Sequence, residues 1–352
     1  MLRHLAEASD ARIVEAARRT SDLGDEMAEV RALLTSRVSA LRSGKTGTLP
    51  ASERPLRRQV FDCENAEDVA GTLERHEGWE PVRDVAVNEA FDNSGSTWRF
   101  FHELFGRNSV DGQGKILVSY VDYGTDFDNA LWTGKEIVYG DGDGDVFHRF
   151  TGAIEIVAHE ITHGVTQNSA KLRYQGQSGA LNEHFSDVFG SLVKQWLSKQ
   201  PARDADWLIG AGIRGPKFVG RAIRDMENPG TAYDGPLTGA DPQPAHMNNY
   251  VETDDDSGGV HINSGIPNRT FVLAAKAIGG NAWDVPGQIW YETLTNGYLS
   301  PESDFKDCAR GTILASRKIH SGDATVAEHV AAAWVDTGVL DTDEARRLAS
   351  GV

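Results

Sequence analysis

His159-Glu160-Ile161-Thr162-His163 decides the reading of this chain. The pentapeptide lies in a segment with helical periodicity, Ile154 to Gln167. Two histidines four residues apart share one helix face, one turn apart, so their imidazole nitrogens can converge on a single ion. Glu160 projects from an adjacent part of the helix surface, placed to take a proton from a metal-activated water. The pattern points to zinc-dependent hydrolysis. The same five residues also arise on surface helices with His and Glu in water, so the surrounding sequence has to decide.

A catalytic zinc takes three protein ligands and keeps an open position. Glu183 lies 20 residues after His163, in Asn182-Glu183-His184-Phe185-Ser186-Asp187. Glu183 and Asp187 are four apart and share a helix face. Glu183 suits the third ligand, and Asp187 suits an acceptor for the non-ligating nitrogen of His159, fixing its tautomer. A solvated acidic stripe is the alternative. The flanks Ala180-Leu181 and Val188-Phe189-Gly190 are too apolar for a wholly exposed helix.

With these residues in place, the chain resembles the thermolysin-like zinc metalloendopeptidases, in particular the protealysin-type branch with a short N-terminal propeptide. The likeness runs from about Leu56 to the C-terminus. It is carried by Asn129-Ala130-Leu131-Trp132, Tyr139-Gly140-Asp141-Gly142-Asp143-Gly144, the HExxH pentapeptide, Tyr174-Gln175-Gly176-Gln177-Ser178-Gly179-Ala180, the Asn182–Asp187 segment and Gly258-Gly259-Val260-His261-Ile262-Asn263-Ser264-Gly265, in family order. The resemblance implies that His159, His163 and Glu183 hold Zn²⁺, and that Glu160 is the general base. It implies that His261 and Tyr174 donate to the oxyanion, with Asp256 pairing His261 to favour its charged form. Asn129 and the backbone of Ala130 would hold the substrate main chain, and Arg224 would grip a substrate carbonyl. Phe147, Phe150, Ile156, Ile213 and Ile223 match positions lining the primed-side pocket, which implies broad cleavage before Leu, Phe or Ile. The remaining histidines, His184 among them, read as structural.

The departures from the family are informative. Its double calcium site falls here on Glu155, Lys194, Asp206, Leu208 and Ala211. Two acids and a lysine fall short of the six to eight oxygens that Ca²⁺ takes, so that double site is expected to be absent. Asp141-Gly-Asp-Gly-Asp145 suggests an EF-hand loop, but Val146 and Gly152 stand where Gly and Glu are required.

At 352 residues the chain is long enough for two lobes with real cores plus an appendage. No apolar run approaches membrane-spanning length, and no basic aromatic patch suggests nucleic acid. Cys63 and Cys308 do not make a disulfide framework, and sequence leaves open whether they pair. The start, Met1-Leu2-Arg3-His4-Leu5, reads as no signal peptide. The resemblance implies secretion, so export and cytoplasmic retention both stay open.

Residues 1–60 carry a net charge of +3 and the remainder −20. Ala6 to Leu41 has helical spacing of Ile13, Val14 and Ala17, then Met27, Val30, Leu34, Val38 and Leu41, with a break near Ser21–Gly24. Ser43–Pro50 reads as a polar linker. A basic helical unit joined to an acidic body is expected to be a propeptide: an intramolecular inhibitor that docks on the enzyme and is cut off in the linker. The expected organisation is residues 1–50 propeptide and linker, 51–150 a β-rich lobe and 151–352 a helical lobe. The fold class is α+β and two-lobed, with the HExxH helix between the lobes. Short β-type runs such as Ile116–Val121 fill Val60 to Asp145. Helices are expected at Ile154–Gln167, Leu181–Ser198, Ile266–Ile278, Trp283–Leu294, Phe305–His320 and Val326–Asp336. The function expected is a zinc endopeptidase made as a self-inhibited precursor and acting on peptides or proteins. A zinc-bound but catalytically silent binding protein and a zinc aminopeptidase are the alternatives.

Overall fold

The computed structural model describes residues 1–8, 10–21 and 54–351. The expected linker Ser43–Pro50 and the apolar series from Met27 to Leu41 lie outside the described residues. Two compact units emerge. Unit 1 comprises residues 1–165, 210–223 and 233–240, and unit 2 comprises residues 166–209, 224–232 and 241–352.

Unit 1 is built on a five-stranded sheet. Its strands are β1 (Arg58–Asp62), β2 (Thr72–His76), β3 (Leu117–Val121), β4 (Ala130–Trp132) and β5 (Ile137–Tyr139), in the order β2-β1-β3-β5-β4. The β1–β3 and β3–β5 pairs are parallel, and the two outer pairs are antiparallel. β4, which begins at Ala130, is therefore an edge strand. Cys63, Tyr123, Phe127, Leu131 and Val138 form one buried cluster of the unit.

The chain begins with the short helix α1 (Leu2–Leu5) and a helix α2 over residues 11–21, both part of unit 1. Leu5, Ile13, Ala16, Ala17 and Thr20 are buried. The basic side chains of α2 meet acids of the unit: Arg12 bonds Asp126, Arg19 pairs with Glu67, and Arg19 also donates to the Thr125 carbonyl.

The β-type reading of Val60 to Asp145 overlooked one element. Residues Val85–Phe105 form a 21-residue helix, α3. Its buried residues Ala86, Val87, Ala90, Phe91, Ser94, Thr97 and Phe101 recur at helical spacing. Asp84 caps it by accepting from the Val87 amide, and Gly106 ends it in the left-handed conformation. Those signals were present in the sequence, and the period of the apolar positions was the deciding one. Helix α4 (Ile154–Gln167) carries the HExxH residues and has the expected bounds.

Unit 2 is mostly helical. α5 (Gly176–Ser198) starts five residues before the expected Leu181, and it is buried nearly continuously from Ser178 to Val193. Around it pack α6 (Asp256–Asn263), α7 (Gly265–Ile278), α8 (Val285–Thr295) and α9 (Phe305–Ile319). α10 (Ala324–Asp336) lies against α7 and α9, and a last helix, α11 (Thr342–Ser350), was not anticipated. Two-stranded pieces complete the chain: β6 (Leu208–Ile209) with β7 (Arg224–Asp225) in unit 2, and β8 (Asp234–Gly235) with β9 (Gly239–Ala240) in unit 1. Cys63 and Cys308 are both buried free thiols. Among the described residues no helix is long and apolar enough to cross a membrane.

Candidate metal centre and active site

In unit 1, the helical spacing of α4 brings His159 and His163 together. Their Nε2 atoms face each other at 3.0 Å, with the rings at 84°. Both rings are buried, as is Glu160 between them in sequence. A pair of neutral imidazoles so placed can share one hydrogen, or both can turn a lone pair on one cation, which is the arrangement a metal ligand pair needs. Gly164 follows His163 for a steric reason. A Cβ there would meet Val110 Cγ1 at 2.8 Å and the Trp132 ring at 3.1 Å. This helix face therefore fits its neighbours only without a side chain.

Unit 2 gathers four of the expected residues. Tyr174 donates its hydroxyl hydrogen to Glu183 Oε1. His261 Nε2 lies 3.1 Å from the Tyr174 oxygen and 3.6 Å from Glu183 Oε2. Asp256 accepts from the backbone N–H of His261 at 2.8 Å, and its other oxygen faces the ring Nδ1 at 2.5 Å. That contact fixes a hydrogen on Nδ1 and turns Nε2 toward Tyr174. Burial alone would lower the basicity of His261. The ring is half exposed, however, and the carboxylates of Glu183 and Asp256 prevail, pushing it up to about 9.

The backbone explains how an acid five residues away reaches its histidine. Asp256, Ser257, Gly258 and Gly259 all have positive φ, making a left-handed turn before the regular part of α6. Glycine is the residue that adopts this conformation without strain, and two of the four positions have it. A second glycine sets the approach of α6 to α5: a Cβ on Gly179 would lie 2.4 Å from Val260 Cγ1. Gln243 then ties down the end of the turn, donating to the His261 carbonyl and to Ser264 Oγ.

Asp187 is fully buried and accepts a two-pronged bond from Arg224, at 2.8 Å from Nε and 2.6 Å from Nη2. A third bond comes from Asn268 Nδ2 at 2.9 Å. Asn268 Oδ1 accepts from His184 Nδ1, and His184 Nε2 accepts from the Trp290 indole N–H, each at 2.8 Å. The donor character of Trp290 fixes the neutral tautomer of His184, and burial pulls its pKa down to about 4. Trp290, His184, Asn268, Asp187 and Arg224 thus form one hydrogen-bonded line. Asn268, Trp290 and Gln243 were not singled out from sequence. No local spacing links them to the motif residues they support.

Asn129 precedes the edge strand β4. Its side-chain oxygen accepts from the Ala130 amide, and its carbonyl accepts from Gly140. The pocket candidates Phe147, Phe150, Ile156 and Ile213 are buried in unit 1. At the positions matched to the family's double calcium site, Lys194 donates to Asp206 and to the Leu208 carbonyl, both at 2.8 Å, and Glu155 accepts from the Gly210 amide.

Known proteins place these constellations. The thermolysin metallopeptidase catalytic domain matches residues 36–167, and the thermolysin metallopeptidase alpha-helical domain matches residues 170–339. The chain belongs to the thermolysin family of metallopeptidases. This thermolysin-family member is 50% identical over 291 residues to an extracellular metalloprotease of Pectobacterium carotovorum subsp. carotovorum, covering 83% of each chain. It is 42% identical to protease PrtS of a Photorhabdus species, covering 82% of this chain and 78% of that one. Among solved structures it resembles the precursor of protealysin, a metalloproteinase from Serratia proteamaculans. The TM-score is 0.83 and the identity 44%, over 96% and 97% of the two chains. The protein is thus a zinc metalloendopeptidase with the α+β fold of its family.

Proposed function

We propose that this metallopeptidase hydrolyses peptide bonds before large apolar residues, and that it is made as a precursor held inactive by its own N-terminal segment. His159, His163 and Glu183 would hold the zinc, since all three are buried and are of the residue types that ligate it. When bound, the metal supplies a Lewis acid and activates water. Glu160 would take the proton of that water and pass it to the leaving amine. His261, kept protonated by Asp256, and Tyr174 would donate to the oxyanion. Asn129 and the edge of β4 from Ala130 would take the substrate main chain as an added strand, and Arg224, braced by Asp187, would grip a substrate carbonyl. The apolar side chains at Phe147, Phe150, Ile156, Ile213 and Ile223 support a preference for Leu, Phe or Ile.

The observation that carries this reading is the joined set of Tyr174, Glu183, His261 and Asp256. A silent binding protein has no use for an imidazole held protonated beside a phenol. The aminopeptidase reading lacks a carboxylate assigned to a free amine, whereas Asn129 and Arg224 suit an extended chain.

The precursor reading takes residues 1–50 as propeptide and linker, 51–150 as the β-rich lobe and 151–352 as the helical lobe. It is supported by the buried apolar face of α2 and its basic contacts to acids of unit 1. Arg12 meets Asp126 and Arg19 the Thr125 carbonyl, just before Asn129 in sequence. Export follows the extracellular relatives. The ammonium of Lys194 takes the place of calcium at the family's double site.

The test is peptide-library cleavage read by mass spectrometry, with Glu160→Gln and chelator-treated protein alongside. Internal cuts before Leu, Phe or Ile, lost in both controls, are expected. A requirement for a free amine would favour the aminopeptidase. Absence of cleavage by zinc-loaded protein that has lost residues 1–50 would favour the silent binder.

A further inference from the structure

His184, Asp187, Asn268 and Trp290 have no exposed surface, yet each carries a polar group. They come from three helices of unit 2: His184 and Asp187 from α5, Asn268 from α7 and Trp290 from α8. The two ends of their line have a fixed hydrogen-bond polarity. An indole N–H can only donate, and a carboxylate can only accept. The two groups between are ambivalent. An imidazole can carry its hydrogen on either nitrogen, and an amide can present its oxygen or its nitrogen.

One arrangement satisfies both ends. Trp290 donates to His184 Nε2 at 2.8 Å, which leaves the imidazole hydrogen on Nδ1. Nδ1 donates to Asn268 Oδ1 at 2.8 Å, and this turns Asn268 Nδ2 toward Asp187 Oδ2, at 2.9 Å. Every hydrogen along the line thus points from Trp290 toward Asp187. The same Asp187 Oδ2 accepts from Arg224 Nε, and Oδ1 accepts from Arg224 Nη2. Two parallel bonds of this kind fix the plane of a guanidinium, and with it the direction of its remaining nitrogen, Nη1. A buried imidazole is costly unless both nitrogens are matched, whereas an apolar side chain of similar size needs no partners. Packing alone therefore gives no reason for histidine at position 184. The aim of the carboxylate does.

Resting on the reading that Arg224 grips a substrate carbonyl, we propose that His184 is a positioning residue for substrate binding. By turning the Asn268 amide toward Asp187, it sets the carboxylate that aims Arg224. It acts through Asn268 and Asp187 and contributes to the hold on the peptide rather than to the bond-breaking step. Without its N–H, Asn268 loses the contact that orients it, and the Asp187–Arg224 pair loses a support that fixes its direction.

Steady-state kinetics of the active zinc enzyme test this, on an internally quenched peptide with Leu after the scissile bond. His184→Phe fills the space but neither accepts nor donates. KM is expected to rise about tenfold, the worth of one hydrogen bond to a charged group, with kcat within about threefold of wild type. His184→Gln keeps one acceptor and one donor and should recover most of that rise. Arg224→Lys keeps a charge for Asp187 but not the two parallel bonds, and should raise KM at least as much as His184→Phe. In that background His184→Phe should add less than about twofold, because the aim it supports is already lost. Zinc content and near-UV circular dichroism check that each variant is folded. A merely structural role would lower the active fraction, and so the apparent kcat, while leaving KM unchanged. That result with a raised KM in Arg224→Lys overturns the proposal alone, as does a His184→Phe effect on KM that persists in full in the Arg224→Lys background. An unchanged KM in Arg224→Lys overturns the substrate grip itself, and the role of His184 with it. Should His184→Phe not fold, Asn268→Leu leaves His184 in place, removes the last link, and is read by the same criteria.

Discussion

Replacing Asp187 with Asn removes the charge that Arg224 is folded against while changing almost no volume. Asp187 is fully buried, and its hydrogen bonds include two from the guanidinium and one from Asn268. Asparagine keeps an acceptor that Asn268 can still use, so the loss centres on the ion pair. Removing one partner of a buried pair costs about 3–5 kcal/mol, mostly because the other charge is left buried. Arg224 keeps 15% side-chain exposure and some access to water, which places the expectation near about 3 kcal/mol. Urea denaturation should measure it in the Glu160→Gln background, where self-digestion does not interfere. The double variant Asp187→Asn/Arg224→Gln removes both charges and should lose less than the sum of the singles, with a coupling of about 1–3 kcal/mol. A single-variant loss under about 1 kcal/mol, or simple additivity, would refute the view that this pair is a buried brace.

Three further outcomes are expected. In Asp256→Asn, His261 loses the carboxylate facing Nδ1. The imidazolium exists below its pKa, activity that needs it falls as pH rises through that value, and the alkaline limb of kcat/KM should therefore move to lower pH. Since Glu183 is also assigned to the metal, Asp256 is the partner whose charge remains for His261, and an unmoved limb would remove His261 from the reaction. Tyr174→Phe removes one of the two proposed oxyanion donors and should cut kcat by about 10²–10³-fold with little change in KM. An effect confined to KM would make Tyr174 a binding residue. Gly164→Ala forces a methyl onto Val110 and Trp132, and should destabilise the folded protein by about 1–3 kcal/mol in the same urea assay. A neutral result there would mean that the α4 environment can yield.

Spacing and local chemistry made much of this protein legible before any coordinates. The HExxH pair needs only the helical period, and residues 159 and 163 meet as that period requires. α5 and α7 to α10 were legible because long periodic segments leave little ambiguity, whereas the shorter α6 and α11 were not anticipated. α3 was missed although Asp84 and Gly106 mark its ends, because it interrupts a region otherwise rich in short strands.

Sequence alone thus determined what short-range periodicity and motif order can encode: the family, the fold class and the helix that carries the HExxH residues. Tertiary structure alone decided what depends on contacts between distant segments. Asn268 and Trp290, 81 and 103 positions after Asp187, complete its line of hydrogen bonds. Arg12 meets Asp126 across 114 residues and Asp143 across 131. No spacing rule spans such intervals. The partners of Asp187 are selected by burial, which makes an unpaired charge or polar group expensive and leaves only folds that supply one.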